Sequence, residues 1–263
     1  MSNTTDNSLV CLILAAGQGT RMKSEVPKVL HKVSGRPMID YITRTVRLLT
    51  PAKICLVVGY KEELVRQYFG DSVHYVTQRE QLGTGHAASQ AREELDGFGG
   101  DVLVLYGDVP LVKEETLRAL AEKHRTSRAH ATLVTTKVAN PTGFGRIVRN
   151  RARKITGIVE ERDATSAQKR IREINPGIYC FKAPALLDAL GKISTANDQG
   201  EYYLTDVSQI LVKEGKKVET ITTDDEEEIM QVNSRKQLVQ LNDIMHDRII
   251  DKFLDEGVTI IDP

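Results

Sequence analysis

Tryptophan is absent from the 263 residues, and cysteine occurs only three times. Cys11, Cys55 and Cys180 sit inside the apolar runs VCLIL, ICLVV and IYCF. An odd number in strand-like surroundings argues against a disulfide framework and predicts buried, reduced thiols. Neither sign of charge is in excess, because Lys+Arg and Asp+Glu both count 36. That balance removes the protein-wide basic footprint of a nucleic-acid binder, although a local basic pocket for one nucleotide remains compatible with it. No stretch approaches the ~18 apolar residues of a membrane span, and the polar start MSNTTDNS has no apolar signal core. A cytoplasmic address is therefore expected. Low-complexity tracts and internal repeats are missing too.

What is present is enough apolar content, 40%, for one large α/β domain or one domain with a modest appendage. The first half alternates. Strands are predicted at 9–14, 53–58, 73–76 and 102–106, and helices at 37–49, 62–69, 85–95 and 114–124. This spacing points to a parallel sheet with helices on both faces. Between 131 and 181 the segments TLVTTKV, GRIVRN, KITGIVE and EINPGIYCF read as strands with almost no helix between them. They suggest an antiparallel insertion covering one edge of the first sheet, with ERDATSAQKR (161–170) as a mobile charged loop. Helices are expected again at 184–190 and 203–213, then a strand at 218–222. Leu238, Leu241, Met245, Ile249 and Phe253 mark one stripe of a long last helix.

The most informative segment, LAAGQGTRMKSEVPK (14–28), follows the first strand directly. Gly17 and Gly19 remove Cβ atoms where the backbone must turn, and the amides of such a loop suit phosphate oxygens. Arg21, Lys23 and Lys28 add cationic reach. Two phosphate-binding patterns fail here: Met22 stands where both G-x-G-x-x-G and G-x-x-x-x-G-K-[ST] need glycine. In QREQLGTGHA (78–87), backbone amides plus a Gln carboxamide could read a flat base, or the block could simply start a helix. The strand VLVLY ends in Gly107-Asp108, delivering a carboxylate to the carboxyl edge of the sheet, where ligands collect. Such an Asp suits magnesium, which takes one or two carboxylates plus phosphate oxygens; capping the next helix is the alternative. GFGRIV, GIVEERDAT and EINPGIYCF each set polar groups beside glycine on a strand edge.

The stretch LAAGQGTRMKSEVPKVLHKVSGRPM resembles the nucleotide-binding signature of the sugar-phosphate nucleotidyltransferases. Its PKVLH and the later GTGHA are most similar to the uridyltransferase domain of bifunctional N-acetylglucosamine-1-phosphate enzymes. The resemblance runs from Val10 to Pro263 with every block present. It implies a Rossmann-like, mostly parallel α/β sheet with helices on both faces and a smaller antiparallel β insertion for the sugar, the nucleotide-diphospho-sugar transferase fold. Residues 1–230 would form the catalytic domain, with 131–181 on the sugar side. Residues 231–263 would carry a metal-ligand turn and the long last helix.

The same resemblance implies site residues. Leu14, Ala15, Ala16, Gly17, Gly19, Tyr106 and Gly107 would hold the nucleotide, with Gln78, Gly83 and Thr84 on the uracil. Arg21, Lys28 and Asp108 would be catalytic, and Asp108 with Asn233 would bind Mg²⁺. Asn233 read alone is only a cap for the last helix. Gly145, Glu160, Asn175 and Tyr203 (or its neighbour Tyr202) would contact the sugar, with NDQGEYYLTD closing over it. His31 and His86 lie inside these motifs with structural roles. The implied reaction transfers UMP from UTP to N-acetyl-α-D-glucosamine 1-phosphate, giving UDP-N-acetylglucosamine and pyrophosphate for cell-wall and lipopolysaccharide precursors.

One departure is that the left-handed β-helix acetyltransferase region of those relatives does not follow GVTIIDP. Acetylation and trimerisation therefore do not carry over, and a monomer or weak oligomer without nucleic-acid or membrane partners is expected. Two rivals stay open. One is another nucleotidyltransferase, making UDP-glucose or a CDP-activated alcohol. The other is a regulatory subunit that binds nucleotide without turnover; the presence of Arg21, Lys28 and Asp108 argues against it.

Overall fold

The computed structural model describes residues 8–261. The polar start at 1–7 and the final two residues lie outside them. β1 (Leu9–Leu14) leads through the phosphate-loop candidate to a small hairpin, β2 (Lys32–Val33) and β3 (Arg36–Pro37). Then follow α1 (Met38–Arg47), β4 (Lys53–Val58), α2 (Glu62–Phe69), β5 (His74–Thr77), α3 (Thr84–Ser89), α4 (Arg92–Leu95), β6 (Asp101–Tyr106) and α5 (Glu114–Ser127). The second half runs β7 (Ala131–Lys137), β8 (Gly145–Arg149), β9 (Ile155–Val159), β10 (Glu173–Asn175), β11 (Ile178–Lys182), α6 (Ala183–Leu190), α7 (Asp206–Lys213), β12 (Val218–Thr222) and α8 (Arg235–Asp255).

The large sheet has the order β5-β4-β1-β6-β11-β7-β10-β8-β9, with β12 also paired to β7. Its first four strands are mutually parallel, whereas β11 runs antiparallel to both β6 and β7. Alternate residues of β1 enter separate cores, as a two-sided buried strand requires. Val10, Leu12 and Leu14 pack with α3, α4, α6 and α7 on one face. Cys11 and Ile13 pack with α1, α2 and α5 on the other. Leu12 is fully buried, so trimming it to Ala would cost about 2–5 kcal/mol. All three cysteines are free and buried, and burial pushes the Cys55 thiol up to about 12.

Two local expectations change. The 131–181 stretch does not merely cover an edge. β11 and β7 are inner strands of the central sheet, because β11 can satisfy the open edge of β6 from the antiparallel side; β8, β9 and β10 form the antiparallel extension. The helix expected at 85–95 divides into α3 and α4. At the break the chain tightens to three-residue hydrogen bonds, Gln90 N–H to Ala87 O and Ala91 N–H to Ala88 O. Within 161–170, Thr165 bonds Gln168, a short 3-10 turn covers Gln168–Arg170, and Asp163 accepts from the Asp198 amide.

The stripe of α8 buries only its first half. Leu241 joins Met22, Val33, Met38, Leu111 and Val232, with Leu238 and Met245 beside them, while Phe253 is 44% exposed. Among the described residues no helix is long and apolar enough to cross a membrane. Asp101, His124 and Cys180 form a buried cluster, where the Lys182 ammonium already lies 2.5 Å from Asp101 Oδ1.

Candidate active site

The carboxyl ends of β1 and β6 open into a cavity of about 360 Å³ lined by Leu14, Ala15, Ala16, Gly17, Lys28, Gln78, Gly83, Thr84, Tyr106 and Asp108, among others. A second cavity of about 160 Å³ is lined by Gly145, Glu160, Asn175 and Tyr203, together with Phe144 and Gln199. Thr84, Tyr106, Glu201 and Gln231 line both, so the two chambers share a wall. Tyr203 stands at the second cavity, whereas Tyr202 places its ring 6.3 Å from that of His86.

The two chambers are held together by close backbone approaches. Gly83 has φ +109°, and a Cβ there would stand 2.5 Å from the Tyr202 carbonyl. Gly85 donates its N–H to that carbonyl at 2.7 Å, and Tyr202 N–H donates to Leu82 O. The GTG segment thus docks the 199–205 segment against α3. Thr84 contributes again, its hydroxyl accepting from the Leu204 amide at 3.1 Å.

Two expected nucleotide residues, Gly19 and Gly107, and the expected catalytic Arg21 lie off both cavity walls. Gly19 (φ +67°) lies against Lys28. Gly107 donates to Leu14 O at 2.8 Å and packs under Val29, so its missing Cβ serves strand-end packing. Arg21 is exposed on the short turn Thr20–Met22, because the turn buries Met22 instead.

At the mouth of the first cavity the Lys28 ammonium lies 2.5 Å from Asp108 Oδ2 and 3.2 Å from Asn233 Oδ1. Asn233 does not cap α8. Ser234 takes that position and accepts from Gln237 N–H, which frees the Asn233 carboxamide to face Lys28. The segment is registered by Val232 N–H donating to the Asp108 carbonyl at 3.1 Å. It is further braced by buried Glu228, which accepts from the Lys113 amide and the Thr116 hydroxyl. Asp108 Oδ1 is buried without a hydrogen-bond partner. A buried carboxylate oxygen left unpaired is costly, and the other oxygen of the same carboxylate shares the Lys28 ammonium with the Asn233 carboxamide oxygen. That donor set, hard oxygens converging on a positive charge, fits a magnesium ion.

In the second cavity, Glu160 accepts from the Thr205 hydroxyl at 2.9 Å. Burial pushes its carboxyl above the ordinary value; Asp206 and Asp163 push the same way, while Thr205 and Arg146 oppose. Asn175 donates to the Tyr179 hydroxyl at 2.6 Å and accepts from Gly177 N–H at 3.3 Å. Burial likewise pushes the Tyr106 phenol up, so it stays protonated against the shared wall. Gln81, Gln199, Glu201 and Gln231 were missed as candidates. For Gln231 a signal existed: in QVNSR it precedes Asn233 by two with buried Val232 between, so an extended chain aims both side chains the same way.

Known proteins share the family and the fold of this chain. The nucleotidyl transferase family profile matches residues 10–242. The chain is 47% identical over 255 residues to "Bifunctional protein GlmU" of Pelotomaculum thermopropionicum, covering 97% of this chain and 56% of that protein. It is 49% identical over 252 residues to the protein of the same name in Heliobacterium modesticaldum, covering 96% and 55%. The chain thus spans about half the length of the curated relatives it matches, corresponding to their N-terminal part. Among solved structures, a UDP-glucose pyrophosphorylase complexed with UDP-glucose superposes with TM-score 0.76 at 16% identity, covering 92% of this chain and 99% of that one. A putative glucose-1-phosphate thymidylyltransferase from Bacillus anthracis superposes with TM-score 0.72 at 18% identity, covering 90% and 95%. These two share the fold. With the family profile spanning almost the whole chain, the protein belongs to the nucleotidyl transferase family.

Proposed function

We propose that the chain transfers UMP from UTP to N-acetylglucosamine 1-phosphate, releasing pyrophosphate and forming UDP-N-acetylglucosamine. The observation that carries this is the pair of adjoining chambers, with Lys28, Asp108 and Asn233 grouped beside their junction. The larger takes the nucleotide, the smaller the sugar. The attacking oxygen belongs to the sugar's 1-phosphate, which is already ionised at neutral pH, so no general base is required. A bond from that oxygen to the α-phosphorus forms as the bond to pyrophosphate breaks.

Two anions must meet, so the protein's work is positioning and charge neutralisation. Lys28 supplies a mobile positive charge to the phosphates, and Arg21 on the exposed turn serves the departing pyrophosphate. Asp108 and Asn233 would hold Mg²⁺, which when bound neutralises phosphate charge. Gln78 and Gly83 read the uracil edge. Glu160 and Asn175 receive the sugar's hydroxyl and acetamido groups, with Gly145 giving them room and Tyr203 closing the wall.

The test is a panel of kcat/KM values for N-acetylglucosamine 1-phosphate and glucose 1-phosphate, each against UTP, CTP, ATP and dTTP. The expected result is a strong preference for UTP with the acetamido sugar. A site built to hydrogen-bond a substrate group can reject the analogue lacking it by roughly 10⁴-fold. Equal values for both sugars would remove the acetamido assignment and leave a nucleotidyltransferase of other specificity. No turnover with any pair, alongside tight UTP binding, would favour a regulatory subunit.

A further inference from the structure

Gln78 is almost fully buried, 3% exposed, yet it reaches the wall of the larger cavity. A carboxamide has the same outline either way round, with an acceptor at one end and a two-hydrogen donor at the other. Which end faces the ligand decides which base it matches. Uracil offers an N3–H donor, whereas cytosine offers an acceptor at N3 and an amine beside it.

The surrounding chain settles the orientation. Gln78 Nε2 donates to the Gly83 carbonyl at 3.2 Å, and that oxygen can only accept. On its other side Nε2 lies 3.0 Å from His86 Nδ1. With both hydrogens of Nε2 directed at protein acceptors, Oε1 is the atom left for a ligand. Nδ1 then accepts, which places the ring hydrogen on Nε2; Gln90 Nε2 stands 3.0 Å from that nitrogen, so the half-buried Gln90 carboxamide must turn its oxygen to the ring for this hydrogen to be accepted. The ring is further placed by α3 and by the Tyr202 ring 6.3 Å away.

We propose that His86, through Nδ1, locks the Gln78 carboxamide with its oxygen toward the base, making His86 a positioning residue for the choice of uracil over cytosine. The inference rests on the assignment of Gln78 as a base-reading side chain. Locked this way, Oε1 accepts from uracil N3–H. Against cytosine the same oxygen meets another acceptor. The Gly83 N–H, which has no protein acceptor among the described residues, is free to donate to a uracil carbonyl. Its own carbonyl helps hold Gln78, so the loop and the side chain form one recognition unit.

The experiment measures kcat/KM for UTP and CTP with one sugar 1-phosphate in the wild type, His86→Leu, His86→Gln and Gln78→Leu. Calorimetric Kd values for the two nucleotides read the same selection without turnover. His86→Leu is expected to lower the UTP:CTP ratio about tenfold, the scale of one buried hydrogen bond lost, while KM for the sugar phosphate stays unchanged. His86→Gln, whose carbonyl oxygen can accept from Gln78, is expected to restore most of the ratio. If Gln78→Leu collapses the ratio and His86→Leu leaves it intact, the lock is overturned and Gln78 still reads the base. If Gln78→Leu leaves the ratio intact, the base-reading assignment itself fails, and the lock with it. A His86→Leu protein that loses thermal stability and both activities in proportion, at a constant ratio, would also overturn the lock.

Discussion

A Cβ atom on Gly19 would stand 2.6 Å from the Cβ of Lys28. The glycine therefore serves the lysine: only a residue without a side chain lets the Lys28 stem run past the turn and reach Asp108. Gly19 also holds φ at +67°, where an alanine carries roughly 1 kcal/mol of strain. Gly19→Ala is expected to lower kcat at least about tenfold (~1.4 kcal/mol per decade), with only a small fall in Tm. A raised KM for UTP at unchanged kcat would instead put Gly19 at the ground-state phosphates.

Lys28→Ala should lower kcat more than it weakens UTP binding, because the charge is needed most as the phosphates crowd together. Asp108→Ala should remain folded and lose several orders of magnitude in turnover, and chelation of Mg²⁺ should abolish activity in the wild type. If Asp108→Ala stays within about tenfold of wild type at saturating Mg²⁺ (~1.4 kcal/mol), Asp108 is not the metal ligand.

Glu160 carries a pH signature. Its carboxyl is raised in the folded protein, chiefly by burial. A raised group contributes stability that is present below its unfolded pKa and is lost as pH rises through the folded one. Ionising Glu160 in its desolvated cavity therefore costs the ligand-free protein stability. Glu160→Gln removes that cost, so its Tm should gain on wild type as pH rises above the ordinary carboxylate range, while KM for the sugar phosphate rises. A Tm difference that does not change with pH would show that the carboxyl ionises freely in the fold.

Arg146 is 1% exposed, with Nη2 on Glu161 at 2.5 Å and Nη1 on the Phe144 carbonyl. Glu161 also accepts from the Gly143 amide at 3.3 Å. Together they pin the 143–145 turn that walls the second cavity. Glu161→Ala leaves a buried guanidinium without its counter-ion. The loss should be about 1–3 kcal/mol, below the figure for a fully buried pair because Glu161 is partly exposed. KM for the sugar phosphate should rise with kcat nearly kept. A Tm loss with unchanged KM would separate the clasp from the sugar chamber.

Much of this protein is written locally. The run at Leu9–Leu14 is apolar at every position, which only a strand buried on both faces tolerates, and the period of 62–69 demands a helix. Gly17, Lys28, Gln78, Gly83 and Asp108 each stand in short segments whose composition already suggests phosphate, base or metal. What the sequence could not decide is which of these residues meet. Asp108 and Asn233 are 125 positions apart and come together through one backbone bond, Val232 N–H to Asp108 O. Gly19 and Gly107 look like ligand-binding glycines in sequence, yet tertiary packing assigns their empty Cβ positions to Lys28 and Val29. Likewise β11 could be recognised as a strand, but its place between β6 and β7 depends on which open edge is available once the parallel strands have paired. Periodicity and turn chemistry act over a few residues, so one chain reveals them directly. Edge pairing and the convergence of side chains are contacts between distant segments, and only the folded packing selects among them.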